Sequence, residues 1–399
     1  MAAFNLQASS ENPRGCLALR VLHVVPALFS ADGVIGGAER YALELARHMA
    51  DEVPTTLVAF GDRERRETIG RLAVRVIGNP WYVRGQRNNP VSPSLLAELR
   101  EADVVHCHQT HVIISSLVAM FCRLSGRRVF ATDLGGGGWD ISAYLSTDRW
   151  YHGHLHISEY SRKICGHARN PDAHVILGGV DTDKFSPDET VPRGATALFV
   201  GRLLPHKGID DLIDAADASQ PLEIIGPASD ARFLDHLRSL AAGKSVIFRH
   251  GCDDAAIVGA YRRARCVVLP SVYRSRYGGE TIVPELLGQT LLEGMACGAP
   301  AICTAVASMP EIVEDCVNGF VVPPNDPQRL GERLRWLREH SEQAQEMGRA
   351  ARTRILERFT WPAVVRRCIE IYSASMKRRV VACDKESRTR DTACDTRLT

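Results

Sequence analysis

The sequence predicts an α/β protein built from two doubly wound domains, each organised on a parallel sheet. The chain has 399 residues, which is too long for one ordinary hydrophobic core. Short apolar stretches alternate with helical ones, a pattern typical of parallel sheets covered by helices on both faces. A polar break over residues 181–196 interrupts the alternation, which then begins again. We therefore expect two similar Rossmann-like domains that face a central cleft.

The composition is that of a soluble globular protein: 45% of the residues are hydrophobic and 24% are charged. The formal net charge is only +2, so nothing global favours binding to nucleic acid. Twelve cysteines occur without a Cys-x-x-Cys pair, which favours a reduced, cytoplasmic protein over a disulfide framework. No run of eighteen apolar residues suggests a membrane span, and residues 1–18 are predicted to form a loose tail.

The first domain is predicted over residues 19–180. Its predicted strands lie at residues 20–26, 55–60, 74–78, 104–108, 129–132, 155–158 and 175–177, and its helices at 41–49, 92–101, 111–124 and 159–167. Gly36 and Gly37 lie in the turn between the first strand and the first helix, where glycine lets a backbone approach a ligand closely. A tight turn needed only for packing would use the same residues, and the sequence leaves both interpretations open.

The second domain is predicted over residues 181–358. Its predicted strands lie at residues 197–200, 222–225, 246–249, 266–270, 301–304 and 320–322, and its helices at 209–218, 231–242, 254–264, 291–297, 309–315 and 327–340. A final amphipathic helix is expected over 359–375, followed by a disordered tail over 376–399. The basic cluster Lys377-Arg378-Arg379 would either remain in solvent or touch an anionic membrane surface.

The stretch from residue 284 to residue 300 carries two carboxylates, Glu285 and Glu293, on either side of a predicted helix start. Thr290 is the expected N-cap and Leu291 the first residue of the helix. Free amides and the macrodipole at such a start favour a bound phosphate. Alternatively, Thr290 and Glu293 form a capping box, in which Glu293 only closes the end of the helix.

A second group of candidate residues follows the first strand of the second domain. Gly201 allows the chain to turn, and Arg202 and Lys207 place two cations in the loop at the carboxyl end of that strand. Arginine can grip two phosphate oxygens and lysine supplies a point charge, so the pair suits a departing diphosphate.

Two segments carry a resemblance to a known family. Val-Gly-Arg-Leu-Leu-Pro-His-Lys-Gly over residues 200–208, followed by Glu285-x7-Glu293-Gly-Met-Ala-Cys-Gly-Ala-Pro, resembles the retaining glycosyltransferases of family 4, which have the GT-B fold. Residues 36–40, 179–187, 308–313 and 318–324 resemble further segments of the family, so the likeness extends in order over roughly residues 20–374. It implies a nucleotide-sugar donor held mainly by the second domain, a sugar or lipid-linked glycan acceptor held mainly by the first, and a final helix that crosses back to the first domain.

The resemblance also implies roles for individual residues. Arg202 and Lys207 would hold the donor diphosphate and Glu285 the hydroxyls of the transferred sugar, and these three are the candidate catalytic residues. Glu293 would contact the nucleotide ribose. The remaining expected donor contacts come from Gly36, Gly37, Gly201, Arg249, Gly288, Gln289, Thr290 and Leu291. Because two cations already face the diphosphate, neither a metal nor another cofactor is expected.

Departures from the family pattern concern the acceptor side. Thr132 stands before Asp133 where many relatives have histidine, so His108 or His111 is a candidate for the missing role. An insertion over residues 272–283 carries Arg274 and Arg276, which would either grip an anionic acceptor or lie on a plain surface loop.

Three other interpretations compete with the leading one. A sugar-nucleotide epimerase can share the fold, and a non-catalytic sugar-nucleotide-binding protein would explain the absent histidine. The histidines at positions 106, 108 and 111, and those at 152, 154 and 156, also suggest a metal ion. No carboxylate partner is evident for either group in the sequence, so no metal site is predicted.

Overall fold

The computed structural model describes residues 19–26, 37–135 and 140–395, with side chains as far as residue 378. Its two sheets confirm the predicted pair of doubly wound α/β domains. The tail predicted at residues 1–18 lies outside the described residues. No helix in the described part of the chain is both long enough and apolar enough to cross a membrane.

The first domain is organised on an eight-stranded sheet. The described part of this domain has ten strands, of which β5 and β6 lie outside the sheet. They are β1 (Val21–Val24), β2 (Thr55–Gly61), β3 (Arg65–Ile69), β4 (Leu72–Gly78), β5 (Trp81–Tyr82), β6 (Pro90–Val91), β7 (Val104–Cys107), β8 (Arg128–Ala131), β9 (Gly153–His156) and β10 (Ala173–Val175). The sheet order is β10-β9-β8-β7-β1-β2-β4-β3, and only β3 is antiparallel, while β5 and β6 form a separate ribbon. The sequence did not predict β3, because this edge strand is charged and mostly exposed.

Four helices accompany this sheet: α1 (Gly37–Glu52), α2 (Leu95–Glu101), α3 (Ile113–Ser125) and α4 (Glu159–Ile164). Helix α1 buries a stripe of apolar residues against the sheet, in the helical spacing that predicted it. A left-handed glycine, Gly126, ends α3 by donating its amide to the carbonyls of the last turn.

The second domain has six parallel strands in the order β13-β12-β11-β14-β15-β16. The strands are β11 (Ala197–Val200), β12 (Leu222–Ile225), β13 (Val246–Arg249), β14 (Cys266–Leu269), β15 (Ala301–Thr304) and β16 (Gly319–Val322). The helices are α5 (Ile209–Ala215), α6 (Ala231–Leu240), α7 (Asp254–Arg263), α8 (Gln289–Ala296), α9 (Met309–Ile312), α10 (Pro327–Glu339) and α11 (Ser341–Arg358). Helix α11 was not predicted, because several of its buried residues are small and give a weak apolar period.

The strand order reverses between β11 and β14 in the second sheet and between β1 and β7 in the first. In open parallel sheets, ligands bind outside the carboxyl ends of the strands at such a switch point. The loops that follow β11 and β14 contain Lys207 and Glu285, so the candidate residues lie at the expected position.

The last helix, α12 (Trp361–Asp395), crosses back to the first domain, as the resemblance implies. The indole of Trp361 lies 5.2 Å from the ring of Tyr41, and Tyr372 Oη lies 2.8 Å from His106 Nδ1. The helix does not end at residue 375 but continues to Asp395. The prediction of a disordered tail is therefore wrong for residues 376–395. No glycine or proline follows Pro362, so the sequence contains no residue that would break the helix.

Candidate active site

An ion pair between Lys207 and Glu285 lies at the centre of the candidate site. Lys207 ends a short 3₁₀ helix after β11, and Glu285 lies in the loop between β14 and α8. Their side chains are only 14% and 11% exposed. Ser271 Oγ donates a hydrogen bond of 2.9 Å to Glu285 Oε1. The structure therefore brings together two of the three predicted catalytic residues and fixes the carboxylate between two partners.

The third predicted catalytic residue, Arg202, is exposed and makes no ion pair with the described residues. It follows Gly201 directly after β11, so it lies on the same loop as Lys207. Gly208, next to Lys207, has φ +64°, and a Cβ built there would lie 2.0 Å from the carbonyl oxygen of Pro270. Only glycine allows this approach between the two loops, which keeps Lys207 close to Glu285.

Helix α8 begins two residues earlier than the sequence predicts, at Gln289 instead of Leu291. Its N-cap is Gly288 (φ +80°), and no side chain caps it, so Thr290 is not the N-cap and the capping box is not formed. The Gln289 and Thr290 amides have no acceptor among the described residues, whereas the Leu291 amide donates to the Gly288 carbonyl at 2.9 Å. Two of the three predicted amides thus remain open to an anion at the end of the helix.

Glu293 is buried inside the second domain, with only 5% of its surface exposed. Its Oε2 accepts a hydrogen bond of 3.0 Å from Tyr261 Oη. Burial raises the pKa of the Glu293 carboxyl, and the charge of Arg40 opposes that shift. The Glu293 carboxylate therefore interacts with the Tyr261 hydroxyl and with the charge of Arg40 from the first domain, and it does not cap the start of helix α8.

A small cavity of about 40 Å³ lies between the domains beside Glu293. It is lined by Gly37, Arg40, Tyr41, Glu44, Asp181, Lys184, Phe185, Gln289, Glu293 and Trp361. Gly37 lies on the first-domain side of this cavity, and a Cβ built on it would meet nothing within 4 Å, while its expected donor contact stays a prediction. The predicted contact at Gly36 falls outside the described residues.

Arg249 is half-exposed at the end of β13. Its Nε lies 2.8 Å from Glu223 Oε1, and its carbonyl accepts the Gly226 amide at 3.0 Å. The guanidinium is thus paired with a carboxylate of the neighbouring strand β12, and the expected donor contact of Arg249 stays a prediction.

The predicted acceptor residues fall into two environments. His111 and Asp133 line a cavity of about 70 Å³ at the carboxyl ends of β7 and β8. His108 does not join them, because it is buried beneath this surface, with its Nε2 2.7 Å from His23 Nδ1. Thr132, which stands in place of the family histidine, contacts His106 Nε2 through its hydroxyl at 2.7 Å. Of the two proposed substitutes, only His111 is accessible to a ligand.

The insertion over residues 272–283 is ordered against its own domain, and its arginines are paired. Arg276 Nη1 contacts Asp211 at 3.0 Å and Asp214 at 2.6 Å, which also raises the pKa of its guanidinium. Arg274 forms an ion pair with Glu280 within the insertion. Two carboxylates of helix α5 already hold the Arg276 guanidinium, which favours the plain surface loop, and a contact of Arg274 or Arg276 with the acceptor stays a prediction.

Several residues in the site were not found from the sequence. Arg40 and Lys184 line the cavity beside Glu293, and Glu311 joins the two domains. These three lie in segments that carry the family resemblance, which was the available signal. Tyr261 and Ser271 had no such signal, because their contacts with the two glutamates depend on the folded domain.

Comparisons with known protein families cover most of the chain. The family model described as Glycosyl transferases group 1 matches residues 181–354, and the model described as Glycosyltransferase Family 4 matches residues 35–184. The two matches meet at the boundary between the first and second domains. All three predicted catalytic residues lie within the match to Glycosyl transferases group 1.

Two curated relatives match over nearly their whole length. The GDP-mannose:cellobiosyl-diphosphopolyprenol alpha-mannosyltransferase of Xanthomonas oryzae pv. oryzae is 25% identical over 388 residues, which cover 89% of this chain and 96% of that protein. The phosphatidyl-myo-inositol mannosyltransferase of Mycobacterium leprae is 26% identical over 367 residues, which cover 85% of this chain and 93% of that protein.

Solved structures support the fold. The crystal structure of Anabaena Alr3699/HepE in complex with UDP has a TM-score of 0.68 and 18% identity, and the match covers 89% of this chain and 100% of that one. The sucrose-phosphate synthase from Thermosynechococcus elongatus has a TM-score of 0.67 and 18% identity, with 92% and 100% covered. These likenesses confirm the predicted GT-B arrangement of the two domains.

Proposed function

Because the chain belongs to glycosyltransferase family 4 and is a glycosyltransferase of the GT-B fold, we propose that it transfers a sugar from a nucleotide-sugar to a lipid-linked glycan with retention of anomeric configuration. The reaction would take place in the cytoplasm, at the membrane surface, and would serve the synthesis of a surface polysaccharide or glycoconjugate. The single observation that carries the proposal is the partly buried Lys207–Glu285 ion pair in the loops beside the open amides of helix α8.

The difficult step is cleavage of the bond from the anomeric carbon to phosphate, which leaves negative charge on the diphosphate. Arg202 and Lys207 lie on one loop and would stabilise that charge, which is commonly the largest contribution to catalysis. Glu285 holds Lys207 in position and would accept hydrogen bonds from the hydroxyls of the transferred sugar. Since these two cations do the work of a metal at the diphosphate, the transfer itself would need none.

The donor we propose first is GDP-mannose, which appears in the name of the Xanthomonas relative that matches over nearly the whole chain. The acceptor class, a sugar linked to a polyprenol diphosphate, follows from the same name. The position proposed for the donor diphosphate, at the switch point of the second sheet, is supported by the loop that carries Arg202 and Lys207 and by the open amides of helix α8.

A screen of UDP-, GDP- and ADP-sugars tests this function. Purified protein, with no metal added, is incubated with each donor, with and without polyprenol-linked acceptor, and the released nucleotide and sugar products are measured. The proposal requires acceptor-dependent turnover of one donor class, and GDP-mannose is expected to be that donor. Conversion of a donor to its epimer without acceptor would favour the epimerase alternative, and binding without any turnover would favour the non-catalytic one.

An exposed apolar stripe on helix α3 supports contact with a membrane. Leu117, Met120 and Leu124 lie one helical turn apart and are 40%, 45% and 84% exposed. Such a stripe can enter the interface of a bilayer, where a polyprenol-linked acceptor is held. Sedimentation with anionic vesicles tests the idea: Leu124→Glu should weaken the association relative to Leu356→Glu, which changes an exposed leucine of the second domain. Equal association of both variants would contradict it.

A further inference from the structure

Three groups of side chains in the described part of the chain place metal-binding atoms close together. In the first, His23, His106 and His108 are all buried. His106 already uses both ring nitrogens, since Nε2 contacts Thr132 and Nδ1 contacts Tyr372. A metal ion there would have to break the contact that joins helix α12 to the first sheet.

The second group, Glu44, His48 and Asp181, surrounds a cation that the chain itself provides. Arg47 Nη2 lies 2.8 Å from Glu44 Oε2 and 3.1 Å from Asp181 Oδ2. The guanidinium therefore occupies the place between the two carboxylates, and this group does not carry a metal proposal.

The third group combines Asp148, His154 and His167. Asp148 begins a short 3₁₀ helix, His154 lies in β9, and His167 follows helix α4. Asp148 Oδ2 lies 3.7 Å from His167 Nε2, and one ligand atom of each residue lies within 4.8 Å of the others. Ligands of tetrahedral Zn²⁺ lie about 3.3 Å apart, given Zn–N distances of about 2.0–2.1 Å. Small side-chain adjustments would bring the three atoms to that separation.

The surroundings of this group favour a metal ion. His154 and His167 are both buried, so their imidazoles are held within the domain beside the cavity. His156 Nε2 lies 3.0 Å from His167 Nδ1, so it can accept a hydrogen bond from the Nδ1–H of His167 and leave Nε2 of His167 as the ligand atom. His156 Nδ1 is itself buried and has no hydrogen-bond partner.

The cavity beside the group is about 70 Å³ in volume and is also lined by His111, Asp133 and Cys165. No lysine or arginine is among the described residues that line it, so no side-chain cation competes for the position. The cavity has room for the oxygen of a water or of a ligand beside the three protein ligands.

We propose that Asp148, His154 and His167 bind a divalent transition metal of the Zn²⁺ class, with one coordination position open to the cavity that His111 and Asp133 line. The mixed imidazole and carboxylate ligands suit Zn²⁺ better than Mg²⁺, which prefers oxygen ligands. The site belongs to the first domain and is separate from Lys207 and Glu285. It would hold an oxygen atom on the acceptor side of the cleft, while the donor diphosphate remains with Arg202 and Lys207.

The experiment measures binding of Zn²⁺ and Co²⁺ to the full-length protein after chelation and dialysis. Metal content, a competition titration with a chromophoric chelator and the visible spectrum of the Co²⁺ form give affinity and geometry independently of activity. The proposal requires one ion per chain and a tetrahedral Co²⁺ spectrum. Asp148→Asn and His167→Gln should each weaken metal binding at least 10-fold. His156→Phe should weaken it about 10- to 100-fold, because the hydrogen bond from His167 Nδ1 to His156 Nε2 is lost.

Asp172→Asn is the matched control, because Asp172 is a partly exposed carboxylate of the same domain that pairs with Arg378 instead. It should leave the metal affinity unchanged. Equal affinity in Asp148→Asn, His167→Gln and the control would overturn the proposal, since the ion would then be bound elsewhere, for example by a free cysteine. No stoichiometric binding by the folded wild-type protein would overturn it as well. Melting curves of each variant establish that the protein compared is folded.

Discussion

A carboxylate of the second domain contacts the start of a helix in the first domain. Glu311 lies in helix α9 of the second domain, and its two carboxylate oxygens accept the amides of Glu159 and Tyr160 at 2.8 and 2.7 Å. These amides begin helix α4 of the first domain, where the macrodipole adds to the attraction. The nearby Ser158 hydroxyl also donates to the Leu286 carbonyl, next to Glu285. The carboxylate therefore holds the two halves of the site together.

Replacing Glu311 with glutamine tests this contact. Hydrogen bonds to a charged group contribute about 1.5–3 kcal/mol each, and glutamine keeps one neutral acceptor, so we expect a loss of about 1–2 kcal/mol. That loss corresponds to about a 5- to 30-fold decrease in the equilibrium constant between the closed and the open arrangement of the domains. We expect kcat/KM to decrease by up to that factor, because the acceptor and donor domains separate more often. The affinity for free nucleotide should change little, since the second domain provides its main contacts.

The matched control is Glu314→Gln, which changes a carboxylate three residues away that pairs with Arg354 of its own domain at 3.2 Å. Steady-state kinetics, calorimetric titration with nucleotide and small-angle scattering provide the three measurements. If Glu311→Gln and Glu314→Gln have the same kcat/KM and the same radius of gyration, Glu311 does not hold the domains together.

Three further predictions concern close packing, the donor cleft and pH. Gly179→Ala would place a Cβ 2.4 Å from the ring of Trp361, so thermal unfolding should show a loss of about 1–3 kcal/mol, and an unchanged melting temperature would contradict the close contact. Gly37→Ala has free space and should keep the stability but weaken donor binding, and unchanged donor affinity would exclude Gly37 from the donor site. Burial lowers the pKa of His23 to about 3, so the folded protein binds fewer protons than the unfolded chain below pH 6.5. The stability that comes from keeping His23 neutral is fully present above pH 6.5 and decreases as the pH falls towards 3, by about 1 kcal/mol between pH 7 and 5.5. Denaturant titrations at both pH values measure this, and equal free energies of unfolding would contradict it.

The fold was predictable because both domains repeat a regular pattern of buried strands and helices. The second domain's six strands each lie within one residue of their predicted bounds, since each is a short apolar run between polar segments. Helix α12 extended further than predicted, because composition indicates the solubility of a segment more clearly than its helical propensity. The exposed strand β3 was missed for a related reason: its residues are charged, and its pairing depends on β4.

The candidate site was predictable where a local motif determines it. Lys207 and Glu285 are far apart in the sequence, and their meeting follows from the strand order, which places β11 beside β14. The contacts of Arg276 and Glu293 were not predictable, because Asp211 and Tyr261 are the nearest partners only in the folded domain. Local sequence predicted a capping box for Glu293, whereas the tertiary structure supplies a tyrosine hydroxyl.

The most direct test of the account is the rate of sugar transfer by Lys207→Ala, measured with saturating donor and acceptor. Removal of one stabiliser of the leaving diphosphate should lower kcat on the order of 10²- to 10³-fold. Lys163→Ala, which removes an exposed lysine of the first domain, should retain normal turnover. A Lys207→Ala protein that is folded and turns over within a few-fold of the wild type would contradict the assignment of this loop to the departing diphosphate.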